Sequence, residues 1–228
     1  MSIANFALPS GRTLKLRPMD LFTSTLPAIP AMPTTMTARD LHLSLQAGAA
    51  VPSTLNWRIE DGYLRVASWS DQGESCTFGL WGPGELVIPG LITVAPLQLL
   101  ALSSTRIEAA TPSPAERESF LLDQSLQTST LLRLSRTRPA ESRLFQLLLW
   151  IGERFGRVNS RGVSLSLEDM NLTHRQLAEI SGLTRVTVTK AISHFRQEGY
   201  LLKDGSDELL LREALPHLQR QGKGGTAP

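Results

Sequence analysis

From Leu55 to Leu102, short β-prone runs alternate with turn residues. "WRIEDGYLRVASW", "SCTFGLW" and "ELVIPGLITV" are punctuated at Asp61-Gly62, Asp71-Gln72-Gly73, Gly82-Pro83-Gly84 and Pro89-Gly90. That rhythm predicts a small antiparallel β-roll, barrel or sandwich. Around Asp61-Gly62, Trp57, Ile59, Leu64 and Val66 alternate imperfectly, and a hairpin is expected there. Past Thr111 the period changes. "PSPAERESFLLDQSLQTSTLLRLSR" has prolines only in its first turn, Pro112 and Pro114, and then none before Pro139. This predicts a helix roughly 30 Å long, at about 1.5 Å per residue. Its leucines, Leu121, Leu122, Leu126, Leu131, Leu132 and Leu134, are spread around the wheel. More than one face must therefore be covered, by the β-domain or by a second copy of the helix. A half-polar seam through Leu121, Ser125, Thr128 and Leu132 suits coiled-coil pairing, with Leu122 beside it; an intradomain core helix is the alternative.

After Pro139, Leu144, Leu147, Leu148 and Ile151 fall at i, i+3, i+4 and i+7, a continuous apolar face that Gly156 ends. "GVSLSL" then alternates as a short strand. In "NLTHRQLAEISGLTRVTVTKAISHFRQEGYL", Thr173 with Gln176 fits the spacing of a helix start, and Leu177, Ala178 and Ile180 supply an inward face. Gly182 suits a tight turn, Thr184 is an N-cap, and Val188, Ala191, Ile192 and Phe195 form the next apolar stripe. Arg185, Val186, Thr189 and Lys190 are left on the opposite face. This is a helix-turn-helix layout whose second helix begins with outward residues suited to a DNA major groove. Arg185 can pair with guanine, Val186 can pack a thymine methyl, and Lys190 can reach guanine or a phosphate. Thr173, His174, Arg175, Thr184 and Thr187 at the helix starts are expected at phosphates. "GYLLKDGSDELLLRE" reads as a hairpin wing, with Lys203 at another phosphate.

Charge sharpens this picture. Residues 1–130 carry 8 Lys/Arg against 11 Asp/Glu, whereas 131–228 carry 15 against 10, so the basic surplus lies in the half with the motif. No apolar run reaches the length of a membrane span, and the N-terminus lacks a signal-peptide pattern, so a cytoplasmic location is the expectation. The single cysteine, Cys76, excludes an internal disulfide and a multi-cysteine metal site, and reads as a small core residue beside a strand. His42, His174, His194 and His217 show no ligand spacing, and no nucleophile–base pair or phosphate loop is present. No metal and no catalysis are expected.

The order of parts, β-roll, long helix, hinge, helix-turn-helix and wing, resembles the cyclic-AMP receptor and fumarate–nitrate regulator superfamily of bacterial transcription factors, over Leu55 to Leu211. "TRVTVTK" looks most like the recognition helix of the cyanobacterial global nitrogen regulator: Arg185 matches the family's guanine-reading arginine, and Val186 a valine of the nitrogen branch. The resemblance implies a homodimer on a palindromic promoter site with GTA-type half-sites, RNA polymerase as a further partner, and gating by an effector in the roll. Thr128-Ser129 falls where the cyclic-AMP receptor contacts the base. The segment that should hold a cyclic phosphate, "ELVIPGLITVAPLQLLALSS", has no basic residue, so cyclic-AMP binding in the usual manner is not expected and no cofactor is predicted.

The expected fold is α+β. An irregular segment (1–50, with a proline-rich connector at 24–38) precedes a cyclic-nucleotide-binding-like antiparallel β-roll (51–111). A long dimerisation helix and hinge (112–138) lead to a C-terminal winged helix-turn-helix (139–228). The expected partners are double-stranded DNA and a second copy of the chain, with no membrane. Two other readings stand beside it: a dimer competent without any effector, and a protein-interaction module that docks through the helix pair.

Overall fold

In the computed structural model, which describes residues 41–221 apart from 71, 72 and 74, the first regular element is strand β1, His42–Leu45. Regular structure thus begins inside the stretch read as irregular, because four alternating residues are too short a run to stand out from their surroundings. The connector at 24–38 lies outside the described residues. Seven strands follow: β2 (Ala50–Val51), β3 (Trp57–Asp61), β4 (Leu64–Trp69), β5 (Ser75–Trp81), β6 (Leu86–Val87), β7 (Leu97–Ala101) and β8 (Thr105–Ala109). They form two antiparallel sheets, ordered β1-β8-β3-β6 and β2-β7-β4-β5. Between the sheets, Trp57, Ile59, Leu64, Val66, Leu99 and Ile107 are all buried.

The Asp61-Gly62 turn is not a hairpin. β3 and β4 belong to different sheets, and Gly62 makes the corner between them at φ +81°. A Cβ there would stand 2.7 Å from the Thr105 backbone, so only glycine fits. Alternation on both sides of the turn reports that each strand has an inner face, which is equally true of a hairpin and of a sheet-to-sheet corner. Cys76 is a second correction. It is exposed on β5, opposite Ser68 and one pair from the end of the β4–β5 ladder, beyond the part of the roll whose side chains are buried.

Helix α1 (Pro114–Ser135) starts at Ser113, whose Oγ accepts from the Glu116 amide while Glu116 accepts from the Ser113 amide, a reciprocal cap. Its buried stripe, Phe120, Gln124, Gln127, Leu131 and Leu134, lies against the roll. Two of these are amides because the surface they meet is the open edge of β5. Gln124 Nε2 donates to the Phe78 carbonyl (2.9 Å), Thr128 Oγ1 donates to the same oxygen (3.1 Å), and the Leu80 amide donates to Gln127 Oε1 (2.8 Å). The helix thus supplies side chains where a neighbouring strand would supply backbone.

Helix α2 (Ala140–Phe155) buries Leu144, Leu147, Leu148 and Ile151 and ends at Gly156. After β9 (Arg157–Val158) and β10 (Gly162–Leu165) come α3 (His174–Ser181), α4 (Arg185–Gln197), β11 (Leu201–Asp204), β12 (Asp207–Leu211) and α5 (Ala214–Gln221). β11-β12-β10-β9 form a third antiparallel sheet, the wing. One cluster of buried side chains joins Leu80 and Leu102 of the roll to α1, α2, α3, α4 and the wing.

Candidate nucleic-acid interface

The helix pair is built by local chemistry. Thr173 Oγ1 accepts from the Gln176 amide (3.2 Å), and Thr184 Oγ1 accepts from the Thr187 amide (3.1 Å), so each helix start has one orphan donor satisfied. Gly182 turns the chain in the left-handed region, at φ 65° and ψ 34°. Arg143 of α2 reaches back to the Ser181 and Gly182 carbonyls at the end of α3 (both 3.4 Å). Val188, Ala191, Ile192 and Phe195 anchor α4 in the core, with Phe195 edge-on to Phe145 at 5.2 Å. Arg185, Val186, Thr189 and Lys190 are all exposed on its other face. Val186 is 64% exposed, a large apolar surface for a lone β-branched residue and a suitable one for a thymine methyl. Thr189 Oγ1 donates to the Arg185 carbonyl (2.9 Å) and lies 2.9 Å from His174 Nδ1. The hydroxyl has one proton, and once it is given to the carbonyl, His174 Nδ1 must be the donor in the second bond.

The residues assigned to phosphates divide between two hollows. Thr173, His174 and Lys203 line one of about 330 Å³ between the start of α3 and the wing, together with Arg196 and Ser206. Arg175, Thr184 and Arg185 line another of about 570 Å³, whose far side is Trp69, Gly73 and Ser75 of the roll. Thr187 is half-buried beside its cap. Arg196 and Ser206 escaped the sequence reading. Arg196 sits on α4 beyond the reading turns and is paired with Glu208 of β12 at 2.5 Å, holding wing and helix together. A basic residue late in an amphipathic helix carries no mark of such a role.

Residues 142–218 match the Crp-like helix-turn-helix domain. Over 170 residues the chain is 37% identical to the regulatory protein CysR of Synechococcus elongatus, spanning 75% of this chain and 82% of that one. The chain belongs to the CRP/FNR superfamily of transcription regulators. It is therefore a DNA-binding regulator and not an enzyme. A global nitrogen regulator of Nostoc is 29% identical over 111 residues, 47% of this chain and 48% of the relative. In fold, this CRP/FNR regulator is similar to the solved FixK2 of Bradyrhizobium japonicum, with a TM-score of 0.62 at 18% identity over 82% of this chain and 98% of the other.

The roll and long helix of this CRP/FNR regulator place the remaining sequence-assigned residues as follows. Leu121, Leu122, Ser125 and Leu132 are exposed on α1, and Leu126 joins them. Thr128 is not on that face: its hydroxyl is turned inward and bonded to the Phe78 carbonyl and Gln124 Nε2. The polar residues Gln124 and Gln127, which look solvent-facing on a helical wheel, form the buried side, and Thr128 lies on that side with them. Ser129 is exposed on the outer side. Glu85, in the Gly84-Glu85-Leu86 turn, pairs with Arg154 of α2 at 2.6 Å and accepts from the Gly82 amide at 2.7 Å. Burial pushes its carboxyl above the usual range, opposed by the Gly82 amide and Arg154. Sheet register also brings His42, Glu60 and Glu108 together on the outer face of the roll, their ligand-type atoms within 4.8 Å of one another. His42 and Glu60 are exposed and already in contact at 3.1 Å, as in an ordinary surface pair.

No helix among the described residues is long and apolar enough to cross a membrane.

Proposed function

We propose that this regulator binds a palindromic promoter site as a homodimer paired through the outer face of α1, with its two α4 helices in successive major grooves about 34 Å apart. The carrying observation is the row of exposed leucines on α1: Leu122, Leu126 and Leu132 are 66%, 65% and 60% exposed on a helix whose opposite side is already covered by the roll. Unpaired, such a row leaves a large apolar patch in water; paired with its symmetry mate it is a dimer seam. Leu121, Leu122, Ser125 and Leu132 belong to it, with Leu126 in place of Thr128.

Arg185, Val186, Thr189 and Lys190 read base edges, while Thr173, His174, Arg175, Thr184, Thr187 and Lys203 meet phosphates. GTA-type half-sites follow from the likeness of "TRVTVTK" to the nitrogen regulators. DNA binding does not await a cyclic nucleotide in the roll. Trp57, Leu64, Val66 and Leu99 fill the space between the sheets, the Thr128 hydroxyl is already bonded to the protein, and Glu85 is paired with Arg154.

The test is a titration of the purified protein, with no ligand added, against a duplex with GTA and TAC half-sites one helical turn apart and against a scrambled duplex. Selective binding by a dimer is expected, and Arg185→Ala should lose preference at one base pair, by about 1–3 kcal/mol. Equal affinity for both duplexes would overturn the half-site assignment.

A further inference from the structure

Arg65 lies on β4 with its side chain on the face turned away from the roll core, and it is 1% exposed because α3 covers it. Its Nε donates to Thr77 Oγ1 (2.9 Å) and its terminal nitrogens donate to Ser75 Oγ (2.8 Å) and to Glu179 Oε2 of α3 (2.7 Å). Gln176 Oε1 is 3.5 Å away. Two hydroxyls and an amide are neutral, so Glu179 supplies the negative charge that a buried guanidinium requires. The other oxygen of the same carboxylate, Oε1, accepts from Nε of Arg175 at 3.1 Å. One carboxylate therefore serves two arginines of different kinds. Arg65 is buried and held on three sides, whereas the Arg175 side chain is 81% exposed and stands two residues from the Thr173 cap, in the first turn of α3.

We infer that Arg65, a residue of the roll, is a positioning residue for DNA binding: it neutralises Glu179 and thereby leaves Arg175 free to move to a DNA phosphate. This rests on the reading of Arg175 as a phosphate contact. An exposed i, i+4 pair such as Arg175–Glu179 is weak and exchanges easily, so an approaching phosphate can draw Arg175 away. Once it leaves, the carboxylate remains beside a polyanion, and its repulsion is cancelled by Arg65, which is buried and cannot follow. Without Arg65, Glu179 would both retain Arg175 and repel DNA. The charge on the DNA-facing side of α3 is in this way set by a side chain of the roll. Any movement that parts α3 from the β4–β5 pair would make that face more negative.

The experiment is a set of titrations of the full-length protein against the palindromic and the scrambled duplex over a range of salt. Arg65→Met should weaken binding to both duplexes alike, by roughly three- to tenfold, with a salt slope shallower by about one counterion. Glu179→Gln, which keeps the shape and an acceptor for Arg65, should tighten both. The double variant Arg65→Met/Glu179→Gln should return to near the parent affinity. A purely packing role for the pair makes all three variants weaker, and weaker binding by Glu179→Gln or no recovery in the double variant overturns the inference. Should either single variant fail to fold, the double variant, which leaves no buried charge without a partner, decides alone: affinity near the parent's is expected, and weaker binding overturns the inference. Arg175→Ala separates the two readings: if it leaves affinity and salt slope unchanged, the phosphate assignment itself falls, whereas a weakened Arg175→Ala beside a weakened Glu179→Gln removes only the role given to Arg65.

Discussion

At the scale of single residues, the start of α1 shows how much charge can rest on one cap. Glu116 is only partly exposed at the helix start, and its carboxyl lies at about 2, below the usual 4.5, because it accepts from the Ser113 amide and hydroxyl and pairs with Arg58 at 2.7 Å. The folded value is the depressed one, so this contribution is complete above the ordinary carboxylate value and is lost as pH falls through the interval down to about 2. Wild type should melt higher than Glu116→Gln near neutrality, and the two melting curves should converge as pH is lowered through that interval; a gap independent of pH would mean that shape rather than charge makes the cap. Ser113 and Glu116 stand at capping-box spacing in plain view, beside the prolines that also mark the start of this helix. Arg65 is different. An arginine between Leu64 and Val66 reads correctly as pointing away from the core between the sheets, but strand alternation cannot say that α3 will cover that outer face.

At the scale of elements, α1 has two distinct sides and only one of them looks apolar. Leucines mark its outer side, while the side against the roll is carried by Phe120, Gln124, Gln127, Leu131 and Leu134. Changing both Leu122 and Leu126 to glutamate should leave the fold of the protomer intact, since both side chains are mostly exposed in it. The same change should shift the protein from dimer to monomer in sedimentation and cost it most of its affinity for the palindrome. A dimer that survives the double change would place the interface elsewhere. The helix-turn-helix was legible almost residue by residue because its signals are local: Thr173 and Thr184 as caps, Gly182 at the turn, and an apolar stripe through Phe195.

At the scale of the whole molecule, the roll and the reading unit share a core. Leu80 and Leu102 of the roll pack in the same cluster as Leu144, Leu148, Leu177 and Phe195, and charges cross in both directions, Arg65 to Glu179 and Arg154 to Glu85. Trp57 and Trp81 report on the roll and Trp150 on α2, so tryptophan fluorescence and far-ultraviolet circular dichroism should follow a single coincident unfolding transition. Two separated transitions would show that the shared cluster is too weak to couple them. Long-range pairing of this kind was the least legible part of the chain. Turn residues announce where strands end, but they do not say that β3 joins one sheet and β4 the other. The amides on α1 carry a last consequence. β5 ends its sheet, and its outward-pointing Phe78 carbonyl and Leu80 amide are those that would recruit a foreign strand. Gln124, Gln127 and Thr128 occupy them, so the helix that carries the exposed leucines also guards the roll against strand-by-strand aggregation, and conditions that peel it away should make the protein sticky.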